Sequence, residues 1–165
     1  MDIPEADQQP LFTRRTSFGF RVNQLGRMLS RELAARIATH GVVPGQFAVL
    51  LALYDHDPQS VTELAMASAI EHPTVSRTLG RMERDGLIRR SPDPDDLRSR
   101  LVSLTDRGRS LEAQLKAAAS SVNTEFLAPL SPGERIALLA LLDRVIDARG
   151  TRLTQEQSDR PPRTS

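Results

Sequence analysis

The chain has 165 residues, 39% of them hydrophobic and 26% charged, enough apolar matter for one ordinary domain and unlike a disordered or membrane-spanning composition. The absence of cysteine excludes disulfides, thiolate metal sites, cysteine nucleophiles and thiol redox sensing together. A net charge of +1 conceals 22 cationic and 21 acidic side chains, so their placement carries more information than their sum. No stretch approaches the ~20 apolar residues of a spanning helix, and the acidic start Met1-Asp2-Ile3-Pro4-Glu5 lacks the basic and apolar blocks of a signal peptide. A cytoplasmic protein that does not engage a membrane is expected.

Residues 1–10 and 154–165 are polar and proline-bearing and read as loose ends. Between them, Phe18, Val22, Leu25, Leu29, Leu33 and Ile37 recur at spacings of three or four, the stripe of a long amphipathic helix that should stop near Gly41. Gln46 to Tyr54 follows Pro44 as a more apolar helix, ended before Pro58. Ser60-Val61-Thr62-Glu63 has capping-box spacing and predicts a short helix through Met66. After a turn over Ala67 to Glu71, Pro73 suits the first position of another helix, with Gly86 as its stop. Leu87 to Arg90 and Arg100 to Leu104 read as strands of an antiparallel hairpin around Pro92 and Pro94. Thr105 should cap a further long helix, and Ser131-Pro132-Gly133-Glu134 repeats the capping pattern before a leucine-rich run from Ile136 to Val145.

The helix after Pro73 carries the most informative pattern. With Val75 set at zero and about 100° per residue, Leu79 falls near 40° and Met82 near 340°, while Arg77, Arg81 and Arg84 fall near 200°, 240° and 180°. Three guanidinium groups therefore face away from the core together. Thr74, Ser76 and Thr78 add short hydroxyls, and Arg forks match guanine edges or phosphate oxygens. An ordinary solvated face is the bland alternative, and Glu83 and Asp85 keep the helix from being uniformly basic. From His72 to Arg109 there are nine arginines against six acids, so the basic character is concentrated in the helix-turn-helix and hairpin.

The order Gln46-Phe47, Thr62-Glu63-Leu64-Ala65, Thr74-Val75-Ser76-Arg77, Gly86-Leu87-Ile88, Asp96-Leu97-Arg98 and Leu101-Val102-Ser103-Leu104-Thr105-Asp106-Arg107-Gly108 resembles the MarR family of winged helix-turn-helix transcriptional regulators over roughly residues 18–149. The resemblance implies a mainly α fold with a small β-hairpin wing. Its winged helix-turn-helix would span 44–104, flanked by dimerisation helices over 11–41 and 105–150. It also implies a symmetric homodimer with two recognition helices in successive major grooves of a pseudo-palindromic operator. Many members release DNA when a small aromatic or phenolic effector enters a cleft between the dimerisation and DNA-binding regions.

Family members commonly carry Asp-Arg-Arg where this chain has Asp96-Leu97-Arg98. The resemblance keeps the minor-groove arginine at Arg98 and assigns Asp96 to orienting the wing through a salt bridge; one arginine is lost at Leu97, and binding is expected to survive that loss. A turn acid is nearly as good a reading of Asp96. Arg100, opening a strand, is a candidate phosphate contact, although keeping an edge strand from pairing is the more ordinary role.

Phe18, Phe20, Met28, Phe47 and Tyr54 are candidates for lining an effector cleft, but apolar residues at helical spacing are more often core. Tyr54-Asp55-His56-Asp57 contains metal-binding and proton-transfer groups, yet consecutive residues at a helix exit point in different directions and no second cluster completes a site. His40 and His72 fall at helix boundaries and read as caps. The chain has no phosphate-binding glycine loop, no Gly-x-Ser-x-Gly turn and no His-Glu-x-x-His motif. A DNA-binding regulator, most simply a repressor, with no catalytic residue, metal or cofactor, is the expected function. The alternatives are a winged-helix module for protein partners and a small-molecule-binding or catalytic helical protein.

Overall fold

Ser17 opens the first helix, its hydroxyl accepting from Phe20 N at 3.2 Å, and α1 then runs over Phe18–Ile37. The computed structural model describes residues 13, 14, 17–94, 96 and 99–158, the last ten by backbone alone. The tail expected at 1–10 lies outside the described residues. A single 3-10 turn, Ala38–His40, follows α1 and ends at Gly41, whose φ of 70° is left-handed and suits a residue without Cβ.

Helix α2 (Pro44–Asp55) is the apolar centre, burying Phe47, Val49, Leu50, Ala52 and Leu53. Ser60 caps α3 (Val61–Ala67) as its spacing predicts: its hydroxyl accepts from Glu63 N at 3.2 Å and Glu63 Oε2 accepts from Ser60 N at 2.7 Å. Helix α4 (His72–Arg84) places Pro73 at its second position rather than its first. The wing is β2 (Ile88–Pro92) against β3 (Arg100–Leu104), antiparallel, with Ile88 opposite Leu104 and Pro92 opposite Arg100.

Further departures from the sequence reading are local. A third strand, β1 (Gln59–Ser60), pairs antiparallel with β3 and makes the sheet order β1-β3-β2. Two residues are too few to show any periodicity. The long helix expected from Thr105 is broken at Leu111 into α5 (Asp106–Ser110) and α6 (Glu112–Leu127). Thr105 does cap α5, accepting from Gly108 N at 3.1 Å. Ser131 and Glu134 form the expected reciprocal pair at the start of α7 (Pro132–Ser158), which continues past Val145 and into the stretch expected as a tail. Polarity there does not stop the helix, while residues 159–165 lie outside the described residues.

The chain divides into two units with their boundary between Val122 and Asn123. In the first, Ile37, Leu50, Leu53, Leu64, Val75, Leu79, Met82, Leu87, Val102 and Leu115 pack into one core with almost no exposure. Each such side chain contributes about 1.5–3 kcal/mol relative to exposure. The second unit consists of the end of α6 and α7. Among the described residues no single helix is long and apolar enough to cross a membrane.

Candidate nucleic-acid interface

The turn between α3 and α4 is held by Ile70 N donating to Ala65 O at 3.2 Å and contains Ala69 at φ 52°. A Cβ there costs about 1–2 kcal/mol, which the buried Leu64 and Val75 on either side outweigh. Helix α4 leaves this turn with Val75, Leu79 and Met82 wholly buried, and with Thr74, Ser76, Arg77, Arg81 and Arg84 exposed. Arg77 Nε donates back to Pro73 O and Arg84 Nε to Gly80 O, each at 3.3 Å. These contacts lay both side chains along the helix and leave their Nη groups uncommitted among the described residues.

Thr78 departs from the expectation. It is only 5% exposed, so it belongs to the core side and is not available to DNA in this conformation. Its angular position, about 60° from Val75, lies at the margin of an apolar stripe that the structure shows to be wider than Val75, Leu79 and Met82 alone define. Arg100 is exposed at the start of β3. Asp96 is exposed in the wing turn, where its carbonyl accepts from Ser99 N at 2.8 Å. Arg98 and Leu97 lie outside the described residues.

The bases of helix α4 and the wing are locked by polar contacts that the sequence did not announce. Gln46, 5% exposed on α2, donates from Nε2 to Asp85 Oδ2 at 2.7 Å, and its Oε1 accepts from Val43 N at 3.1 Å. Arg107 Nη1 donates to Asp85 O at 2.7 Å, and Thr105 Oγ1 to Gly86 O at 2.6 Å. Asp57 accepts from Leu104 N at 3.2 Å and from Arg109 Nη1 at 2.5 Å, while Arg109 Nη2 reaches Leu104 O at 3.3 Å. The only hint in the sequence was polar residues standing within or beside apolar runs. Gln46 is the clearest case.

Arg90, on β2, was also unforeseen. Its Nε stands 3.5 Å from Glu83 Oε2 of α4, and its Nη2 lies over Gly80, where an added Cβ would be 4.0 Å away. Arg90 Nε and Nη2 are shut off from solvent and have no hydrogen-bond partner among the described residues.

The five candidate effector residues differ in exposure. Phe18, Phe20 and Met28 are exposed on α1, Phe47 is in the core, and Tyr54 packs partly buried with its hydroxyl donating to Gly108 O at 2.8 Å. Burial first, and the Glu112 carboxylate second, push the Tyr54 phenol up to about 12. A depression at the end of α2 is lined by His56, Pro58, Gln59, Glu63, Met66 and Ala67. The Tyr54 to Asp57 cluster is structural: its tyrosine hydroxyl and Asp57 carboxylate are both taken by α5 and β3. No group of three or more metal-ligating side chains occurs among the described residues.

A MarR family profile matches residues 43–99, which span α2 to the wing turn. The chain is 37% identical over 103 residues to the HTH-type transcriptional repressor NicR of Pseudomonas putida, a match covering 62% of this chain and 65% of NicR. It is 35% identical over 103 residues to the transcriptional regulator HosA of Escherichia coli O111:H-, covering 62% of this chain and 76% of HosA. The chain belongs to the MarR family. The solved structure of Bordetella bronchiseptica BpsR, described as regulated in DNA binding by 6-hydroxynicotinic acid, superposes on this MarR-family chain with a TM-score of 0.77 at 28% identity, covering 82% of this chain and 97% of BpsR. The winged helix-turn-helix of this MarR protein is thus that of a transcription regulator, with α4 as its recognition helix and β2 and β3 as its wing.

Proposed function

We propose that this protein acts in the cytoplasm as a homodimeric repressor, holding a pseudo-palindromic operator until a small aromatic ligand releases it. The carrying observation is the division of α4 into a wholly buried apolar side and an exposed side bearing Arg77, Arg81 and Arg84 beside a hairpin. That geometry suits insertion into a major groove, where Arg forks reach guanine edges and phosphates, while the wing and Arg98 meet the flanking backbone and minor groove. Thr74, Ser76 and Arg100 are assigned supporting contacts and Asp96 the orientation of the wing.

Two further observations support the rest. Phe18, Val22, Leu25 and Met28 on α1 and Ile136, Leu139, Val145 and Ile146 on α7 are exposed, and rows of large apolar residues at helical spacing call for a partner surface. A second copy, with residues 11–41 and 105–150 as the dimerisation segments, supplies that surface and the two-fold symmetry of an operator. BpsR is described as regulated by 6-hydroxynicotinic acid, which makes a compact aromatic acid or phenol the ligand class proposed here. Phe18, Phe20, Met28, Phe47 and Tyr54 are its candidate contacts.

The test is a binding titration against the DNA upstream of the protein's own gene, compared with scrambled duplex at two salt concentrations. A dimer neutralising about 6–10 phosphates loses ~10³–10⁵ in affinity between roughly 50 and 200 mM salt. Arg77→Ala should cost on the order of 1–3 kcal/mol on the specific site, whereas Arg98→Ala should weaken every sequence about equally and flatten the salt slope. Equal binding to specific and scrambled duplex refutes the regulatory reading. Salt-sensitive capture of a protein partner without duplex affinity favours the protein-interaction alternative.

A further inference from the structure

We propose that Arg90 is a positioning residue that fixes the angle between the recognition helix and the wing, by seating its guanidinium against the helix at Gly80 and pairing with Glu83. The inference rests on the DNA-binding reading above and deepens it.

The geometry has three parts. Arg90 projects from β2 to the helix, where its Nε is 3.5 Å from Glu83 Oε2 and its Nη2 faces Gly80, 4.0 Å from where a Cβ would stand. Gly80 lies at about 140° on the helical wheel and Arg84 at about 180°, so the seat borders the outward face that carries the arginines. Third, Arg90 Nε and Nη2 are sealed from solvent although the side chain as a whole retains 28% exposure. Two of its three nitrogens therefore face protein, and the charge is held between helix and strand rather than offered to solvent as a simple phosphate hook.

A planar guanidinium can lie against a glycine surface and present an edge to a carboxylate at once; an ammonium on a flexible stem cannot. Glu83 also needs a counter-charge. An unpaired carboxylate on a helix pressed against DNA opposes binding through repulsion by the phosphates. The Glu83–Arg90 pair cancels that charge while using it to brace the wing. Loss of the brace lets helix and wing reach the duplex separately, so the several backbone contacts of the wing fail together.

The experiment measures the affinity and salt slope of the full-length protein on a duplex selected from random sequence by the wild type. Arg90→Ala should weaken binding by about 100-fold or more and lower the salt slope by more than one phosphate contact per protomer, about 0.9 in the slope. Arg90→Lys, which keeps the charge, should fail to restore binding. Glu83→Gln is the sharpest arm, since removing a negative charge from a DNA-facing helix should tighten binding to the selected duplex if only electrostatics acts, whereas loss of the brace weakens it.

Wild-type affinity in Arg90→Lys, or tighter binding in Glu83→Gln, overturns the proposal. So does a slope change of a single contact in Arg90→Ala, which identifies Arg90 as an ordinary phosphate ligand. If Arg90→Ala does not fold by circular dichroism, Arg90→Lys and Glu83→Gln decide the matter alone. Failure of the wild type to select any duplex instead overturns the DNA-binding reading.

Discussion

Two amphipathic regions of this chain carry similar sequence patterns and meet different fates. On α4 the apolar stripe is fully absorbed, with Val75, Leu79 and Met82 at 0% exposure. On α1 and α7 it is left open, with Phe18 at 62%, Leu25 at 46% and Ile136 at 71% exposure. Periodicity alone reports that a helix has a face to bury; it does not say whether the covering surface belongs to the same chain. The winged segment is closed by its own core and by polar locks at Asp57, Asp85 and Gly108, whereas large apolar side chains of α1 and of α7 stay exposed. The first region should break from within and the second from without.

The largest expected effect is internal. Gly108 sits where α5 passes Leu87, and an added Cβ would fall 2.2 Å from Leu87 O and 3.2 Å from Leu104 Cδ2. The obstacle is a backbone carbonyl at the base of the wing, which cannot swing aside as a side chain tip does. Gly108→Ala should destabilise the protein by about 3 kcal/mol, at the upper end for overpacking. Thermal melting checks this, and a loss below about 1 kcal/mol would show that α5 shifts freely.

The second effect is external. Leu25→Glu places a charge on the open face of α1 and should leave the thermal stability of the winged segment nearly unchanged. On the proposed dimer it forfeits the burial of an apolar side chain, worth about 1.5–3 kcal/mol, so the association constant should fall about 10- to 100-fold or more. Sedimentation at micromolar concentration distinguishes the outcomes. Unchanged association would remove α1 from the interface and leave its exposed row unexplained.

Much of this architecture was legible in the residues because it is written in short-range chemistry. Ser60 and Glu63 announce their helix through a spacing of three, Gly86 announces a stop, and Arg77, Arg81 and Arg84 share a direction fixed by helical geometry. What escaped depends on contacts between segments distant in sequence. Nothing local in Arg109 says that it meets Asp57, or in Arg90 that it meets Glu83 and Gly80. Thr78 failed for another reason: its position near the edge of the stripe made its side a matter of tertiary packing, and the core claimed it.

The smallest effect probes one of the polar locks. Tyr54 is the only tyrosine and there is no tryptophan, so the ultraviolet titration of this protein's phenol reports a single group. In the folded chain that group is raised from 10.0 to about 12 by burial and then by Glu112. An acid whose folded value lies above its unfolded one is stabilising in full below the unfolded value, and that contribution is lost as pH rises through the folded one. Lys116, above the ring at 5.6 Å, is also raised, through its hydrogen bond to Glu112, and declines in the same direction. Stability should therefore fall from pH 10 to about 12 as the unfolded state releases the phenolic proton first. Tyr54→Phe should lose about 1 kcal/mol at neutral pH with its hydrogen bond to Gly108 O, and should show a shallower alkaline decline because only Lys116 remains of the pair. Parallel alkaline slopes in the two proteins would place the phenol's resistance to ionisation outside the folding equilibrium and weaken the case that α2 is tied to α5 through this contact.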